Sequence, residues 1–190
     1  MGAAELSAAI KGGVWRSQIA ALEQLRWKER VRPALPEGAR ALLDDPPSIL
    51  EWVPIEHPIA VCATIERLYG ADEVVRFGTT ATVGILETSL KPVLQGIFAV
   101  FGAKPSSLFG RADLVVKAIT RGVSASYKTL GDRAGESEFV VDHHDVHAAY
   151  WRLWQGSLVH GFTLCRCVGT VGIPVVLDGG RRARFHFRWD

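Results

Sequence analysis

The sequence predicts an α+β fold: a helical N-terminal half packed on one face of a C-terminal four-stranded antiparallel sheet with a crossover helix. Three observations carry this. Residues 182–189 alternate strictly, with Ala183, Phe185, Phe187 and Trp189 on one side and Arg182, Arg184, His186 and Arg188 on the other. That is a strand with one buried and one wet face, as antiparallel sheets allow. Residues 145–168 place Val146, Tyr150, Leu153, Ser157, Gly161, Leu164 and Val168 at spacings of three and four, the stripe of a helix. The first 121 residues hold helical spacings and no convincing strand run, so helices and strands fall into separate halves.

The elements follow in order. Val14, Ile19, Leu22 and Leu25 mark a helix over 14–28, with Gly12-Gly13 a break ahead of it. A short helix over 36–43 ends at Asp44-Asp-Pro-Pro-Ser48, because proline restricts its predecessor and continues no helix. Residues 49–55 read as an extended connector. Pro58 suits the first turn of a helix reaching Tyr69, and Gly70 its C-terminal cap. Residues 72–101 form a long helical region that Lys91-Pro92 interrupts near 89–92. One further helix spans 105–121 and Gly122 closes it. Residues 123–130 and 136–142 alternate as strands around a turn at 131–135. Asp145 is the expected N-cap of the crossover helix. The run 171–177 and the Asp178-Gly179-Gly180 turn complete a hairpin with the final strand. Pro174 cannot donate to a ladder and implies an edge or a bulge. The chain is expected to be one domain, helical over 6–121 and sheet plus crossover helix over 122–190.

Composition narrows the function. Of 190 residues 48% are hydrophobic and six are tryptophan, which suits a compact globule with large apolar bodies to bury or to offer a partner. A net charge of +2 and a pI near 8.5 argue against nucleic acid. Cys62, Cys165 and Cys167 are an odd number, read as free thiols in a reducing, cytoplasmic setting. No segment is expected to act as a signal peptide, an acylation site or a membrane span.

Four groups of residues invite a chemical reading. His143, His144 and His147 in the run 142–147 would present imidazole pairs to one metal if they lay on a helix. The plainer account is a polar helix entrance, and Cys165-Arg-Cys167 lies roughly 30 Å further along a straight helix. Arg182, Arg184, His186 and Arg188 could meet an acidic partner, or simply protect a terminal edge strand. Val83, Leu86, Leu90, Leu94, Phe98 and Phe101 face Tyr150, Trp151 and Trp154 in the expected packing, and an imperfect fit would leave an apolar ligand pocket. A full core is the plainer account there. His160 reads as a core histidine satisfied by a backbone carbonyl. Neither a Gly-x-Ser-x-Gly setting nor a phosphate loop occurs.

Gly13-Val-Trp-Arg-Ser-Gln-Ile19, Leu50-Glu-Trp-Val-Pro-Ile55, Leu68-Tyr-Gly70, Arg76-Phe-Gly78 and Phe185-His-Phe-Arg-Trp189 occur in that order. With them the chain resembles the myxobacterial paralogous family of uncharacterised proteins. That family is similar to vinyl-reductase-type small-molecule-binding domains, haem–nitric-oxide-binding domains and the TRAPP subunits of Golgi transport. The resemblance implies an α+β fold and a ligand-sensing or protein-interaction module, for signalling or scaffolding, rather than a catalyst. The cysteine pattern of zinc-containing sensors has no counterpart at Cys165 and Cys167. No haem-ligand motif matches, so neither His147 nor His160 inherits that role. The expectation is a non-enzymatic cytoplasmic module, without cofactor, for a protein partner or a small apolar ligand, with homodimerisation open. The alternative is a metal- or haem-binding protein using residues 142–147.

Overall fold

The computed structural model describes residues 8–88, 90–142 and 144–190. Strand β1 (Ala9–Lys11) runs directly into helix α1 (Gly12–Gln24). Gly12 and Gly13 therefore start the helix instead of breaking the chain ahead of it. Crowding explains them: their N–H groups donate to Glu51 O (2.7 Å) and Ile49 O (3.1 Å), and a Cβ on Gly12 would overlap Ser48 O. Helices α2 (Lys28–Val31) and α3 (Glu37–Asp44) follow, then strand β2 (Trp52–Pro54) and helix α4 (Glu56–Tyr69). Gly70 ends α4 at φ +97°, a conformation other residues adopt at a cost. Trp15 ties α1 to α3 by donating from Nε1 to Leu42 O at 2.8 Å.

The long helical region divides into α5 (Ala71–Thr88) and α6 (Lys91–Phe101), whose axes meet at 84°. The expected break is there, with Pro92 in the first turn of α6. The single helix expected over 105–121 is instead α7 (Pro105–Phe109), α8 (Ala112–Ile119) and strand β3 (Thr120–Arg121). β1 pairs antiparallel with β2 and with β3, Ile10 facing Val53 on one side and Thr120 on the other. The connector at 49–55 is thus partly strand. No single helix among the described residues is long and apolar enough to cross a membrane.

The C-terminal half keeps the predicted strand, strand, helix, strand order but has five strands instead of four, because the run expected over 171–177 is split in two: β4 (Val123–Gly131), β5 (Ala134–Val141), α9 (Ala148–Leu164), β6 (Gly169–Val171), β7 (Val175–Leu177) and β8 (Arg182–Trp189). All pairings are antiparallel, in the order β4, β5, β8, with β6 and β7 sharing the far edge of β8. Val171 faces Phe187 and Val175 faces Arg184, so the three residues 172–174 lie opposite only two, 185 and 186. That extra residue is a bulge on an edge, where a proline without an N–H is tolerated.

The helices cover one face of this sheet. Phe185 and Phe187 are 0% and 1% exposed; Trp189 is only partly covered. Phe139 meets Phe185 edge-on at 5.5 Å, and Phe109 stacks on Phe187 at 4.4 Å. One buried cluster takes residues from both halves of the chain. α9 and α5 approach so closely that a Cβ on Gly156 would overlap Val75 O, and one on Gly78 would overlap Leu153 O. Trp151, fully buried, fastens α9 to the last turn by donating from Nε1 to Gly180 O at 2.7 Å.

Candidate functional site

Side chains from α5 and α6, together with α1, α7, α8 and α9, line a half-open cavity of about 120 Å³. The walls are aliphatic and aromatic: Ile85, Leu86, Leu90 and Leu94 on one side, Phe109, Val116 and Ile119 on another, Tyr150, Trp154 and Leu158 on a third. Core interiors pack as tightly as organic crystals, so a space of this size is a feature of the site. An apolar cavity of about 150 Å³ stays dry and accepts benzene.

A few polar groups line it. The Thr82 hydroxyl lies 2.8 Å from both Gly78 O and Ser157 Oγ, and Ser157 donates to Leu153 O at 3.2 Å. Those two are answered within the protein. Gln18 is 3% exposed, and its Oε1 has no hydrogen-bond partner among the described residues. The Trp154 Nε1 is buried and likewise has none. Burial pushes the Tyr150 phenol well above its usual pKa, against a smaller opposing effect of the nearby Trp154 N–H. Among the described lining residues there is no His, Cys, Met, Lys or Arg.

Of the pocket residues expected from sequence, Leu86, Leu90, Leu94, Tyr150 and Trp154 line the cavity; Val83, Phe98 and Trp151 do not. Val83 is 44% exposed, Phe98 is partly buried elsewhere against the core, and Trp151 turns toward Gly180. Phe101, also named with them, is 46% exposed beneath Arg111. Gln18 escaped the sequence reading, although a signal existed. It sits midway between Val14 and Leu22 at spacings of four, a polar residue in an apolar stripe.

The histidine run is elsewhere. α9 begins at Ala148, so residues 144–147 are not helical, and His147 rather than Asp145 is the N-cap, its Nδ1 accepting from the Ala149 N–H at 3.3 Å. His144 lies 3.9 Å from Glu56 and His147 3.8 Å from Glu66; His143 lies outside the described residues. Among the described residues no group of three His, Cys, Asp or Glu is gathered for a metal. His160 is half-buried, and burial pushes its pKa down.

The outer face of the sheet is mixed rather than cationic. Arg184 reaches Glu138 at 3.0 Å and Glu136 at 3.4 Å, Arg182 reaches Asp178 at 3.1 Å and Glu138 at 3.3 Å, and His186 lies 3.4 Å from Glu136. Arg188 is exposed beside them, opposite Ala134 and Thr170.

The thiols are quiet. Burial pushes Cys62 far up and Cys165 up to about 11; Cys167 is raised too, by burial and then by Asp190. Thiolate is the reactive form. Iodoacetamide at pH 8 should therefore label Cys167 first, Cys165 slowly, and Cys62 only after denaturation, as read by mass spectrometry of peptides. Equal labelling of Cys62 and Cys167 in the native protein would contradict the burial of α4.

No family model matches the chain, and no curated protein matches it. Solved structures do. A Tt H-NOX domain carrying two phenylalanine substitutions superimposes with TM-score 0.66 at 15% identity, over 95% of each chain. An oxygen-binding H-NOX domain related to soluble guanylate cyclases gives 0.65 at 14%, again over 95% of each. An Fe(II) unliganded H-NOX mutant from K. algicida gives 0.69 at 9%, over 95% of this chain and 96% of that one. At such identities the likeness is one of fold. It agrees with the haem–nitric-oxide-binding part of the resemblance drawn from sequence and leaves the myxobacterial part without support.

Proposed function

We propose that this chain is a ligand-sensing module of the H-NOX fold whose cavity takes one small, neutral, mostly apolar molecule, and that it does so without haem. The chemistry of the lining is the observation that carries the reading. The fold favours a second reading, a haem protein, because solved neighbours are described with haem, bound oxygen or Fe(II). Haem iron is held by His, Cys thiolate, Met or Tyr. Of these types only Tyr150 is among the described lining residues, and burial raises the pKa of its phenol, against the phenolate form that ligates iron. No Lys or Arg among the described lining residues could meet propionates. About 120 Å³ is also well short of the roughly 300–1,000 Å³ of sites for drug-sized ligands. The residues present do not fit haem, and the histidines near Glu56 and Glu66 lie outside the cavity.

The module would report occupancy to a protein partner, with the outer sheet face (Arg182, Arg184, His186, Arg188) one candidate contact, and its three free thiols suit a reducing compartment. Two titrations test the proposal. Haemin added to the purified protein should give no stoichiometric Soret shift. Benzene or phenol at ten times its Kd should raise Tm by about 3–6 °C, from about 1.4 kcal/mol of linkage. A one-to-one haemin complex would establish the second reading; no shift with any small arene would remove the first.

A further inference from the structure

We infer that the cavity selects a small hydroxylated arene, a phenol-type molecule, over a hydrocarbon of the same size. This rests on the ligand-cavity reading above and adds the class of ligand.

The argument starts from the two orphaned groups. Buried polar atoms in native proteins are nearly always hydrogen-bonded, and an exception calls for an explanation. Thr82 and Ser157 show the rule at work in this cavity, each finding a partner within it. Gln18 Oε1 is an acceptor without a donor, and Trp154 Nε1–H, though it acts on the nearby Tyr150 phenol, has no acceptor in hydrogen-bonding geometry. Both residues line the one space. A hydroxyl group is both donor and acceptor. It would donate to Gln18 Oε1 and accept from Trp154 Nε1–H, while a single ring fills the aliphatic remainder.

A pure hydrocarbon leaves both atoms unanswered. A carboxylate or an ammonium would bring a charge into a cavity whose described lining holds no charged side chain, at heavy desolvation cost. The lining thus favours a neutral molecule with one polar corner. Discrimination of this kind is strong when a site is built to hydrogen-bond a hydroxyl, because the analogue lacking it strands the site's own buried groups.

The test compares benzene with phenol by calorimetry and thermal shift, on the wild-type protein and on Gln18→Leu. Leucine continues the Val14–Leu22 stripe and removes the orphaned acceptor, so the variant is expected to fold at least as stably as the parent. Wild type should bind phenol about tenfold or more tighter than benzene, one such hydrogen bond corresponding to about that factor. In Gln18→Leu the phenol advantage should shrink by about tenfold, with benzene changed little. Trp154→Phe should reduce the advantage as well, which keeps the test intact should Gln18→Leu misfold. Equal binding of phenol and benzene by the wild type, or an undiminished preference in both variants, overturns the inference while the cavity reading stands. Binding of neither molecule overturns the cavity reading, and this inference with it.

Discussion

Replacing Gly156 with alanine should destabilise the protein by about 3 kcal/mol, in the upper range for overpacking, and lower Tm by about 6–12 °C. Alanine is otherwise the better helix former, by about 1 kcal/mol. The sign reverses because of where the methyl group would go. It would overlap Val75 O and stand 2.7 Å from Thr79 N, both backbone atoms of α5 that no rotamer change can move. α5 and α9 must separate, and the bond from Thr79 Oγ1 to Gly156 O at 3.1 Å goes with them. Gly96 on α6 supplies the internal control. A Cβ there meets nothing within 4 Å, so Gly96→Ala should gain about 0.5–1 kcal/mol from propensity alone. If thermal melts show both variants stabilised, the close approach of α5 and α9 is wrong, and so is the cavity wall that the two helices form.

What could be read from the chain, and what could not, follows from the length over which a physical signal accumulates. β8 announces itself because eight residues alternate without exception and one face is wet. β1, β2 and β3 have three, three and two residues, too few to display a period, and their pairing is visible only once the chain has folded. The helix start differs from the expected 145 for another reason. Aspartate is the better cap in isolation, but Val146 is 4% exposed and its carbonyl lies against Gly180, where a Cβ would overlap it. Tertiary packing keeps that segment extended, and the next residue, His147, takes the cap.

The cavity was legible in part. Leu86, Leu90, Leu94, Tyr150 and Trp154 follow from helical stripes that had to face each other. On a straight helix Val83 would share a stripe with Leu90 and Leu94. The 84° turn between α5 and α6 breaks the stripe and leaves Val83 toward solvent. Phe109, Val116 and Ile119 do not show as lining residues when 105–121 is taken as one helix, whereas the chain turns at 110–111 and brings α8 in as a separate wall. Pattern finds faces within an element; it does not find the angle between elements.

Phe185→Ala should cost about 4 kcal/mol, the middle of the range for deleting a buried phenylalanine, and should lower Tm by about 8–16 °C. Phe185 has no exposed surface, sits in the central strand between β5 and β7, and meets the Phe139 ring at 88°. Phe139 in turn lies 4.9 Å from Trp154, so the void would open beneath a wall of the cavity. Residues one position away predict the contrast. Arg184 points to the other face, 39% exposed by side chain, and ion-pairs with Glu136 and Glu138. Exposed pairs contribute little and are screened by salt. Arg184→Ala should therefore lose far less than Phe185→Ala, and its small effect should fade as ionic strength rises, while the loss from Phe185→Ala should persist. Chemical denaturation of both variants at low and high sodium chloride distinguishes these outcomes. Comparable losses from the two would mean that the strand does not divide its faces between core and solvent, and the helical roof over the sheet would have to be placed elsewhere.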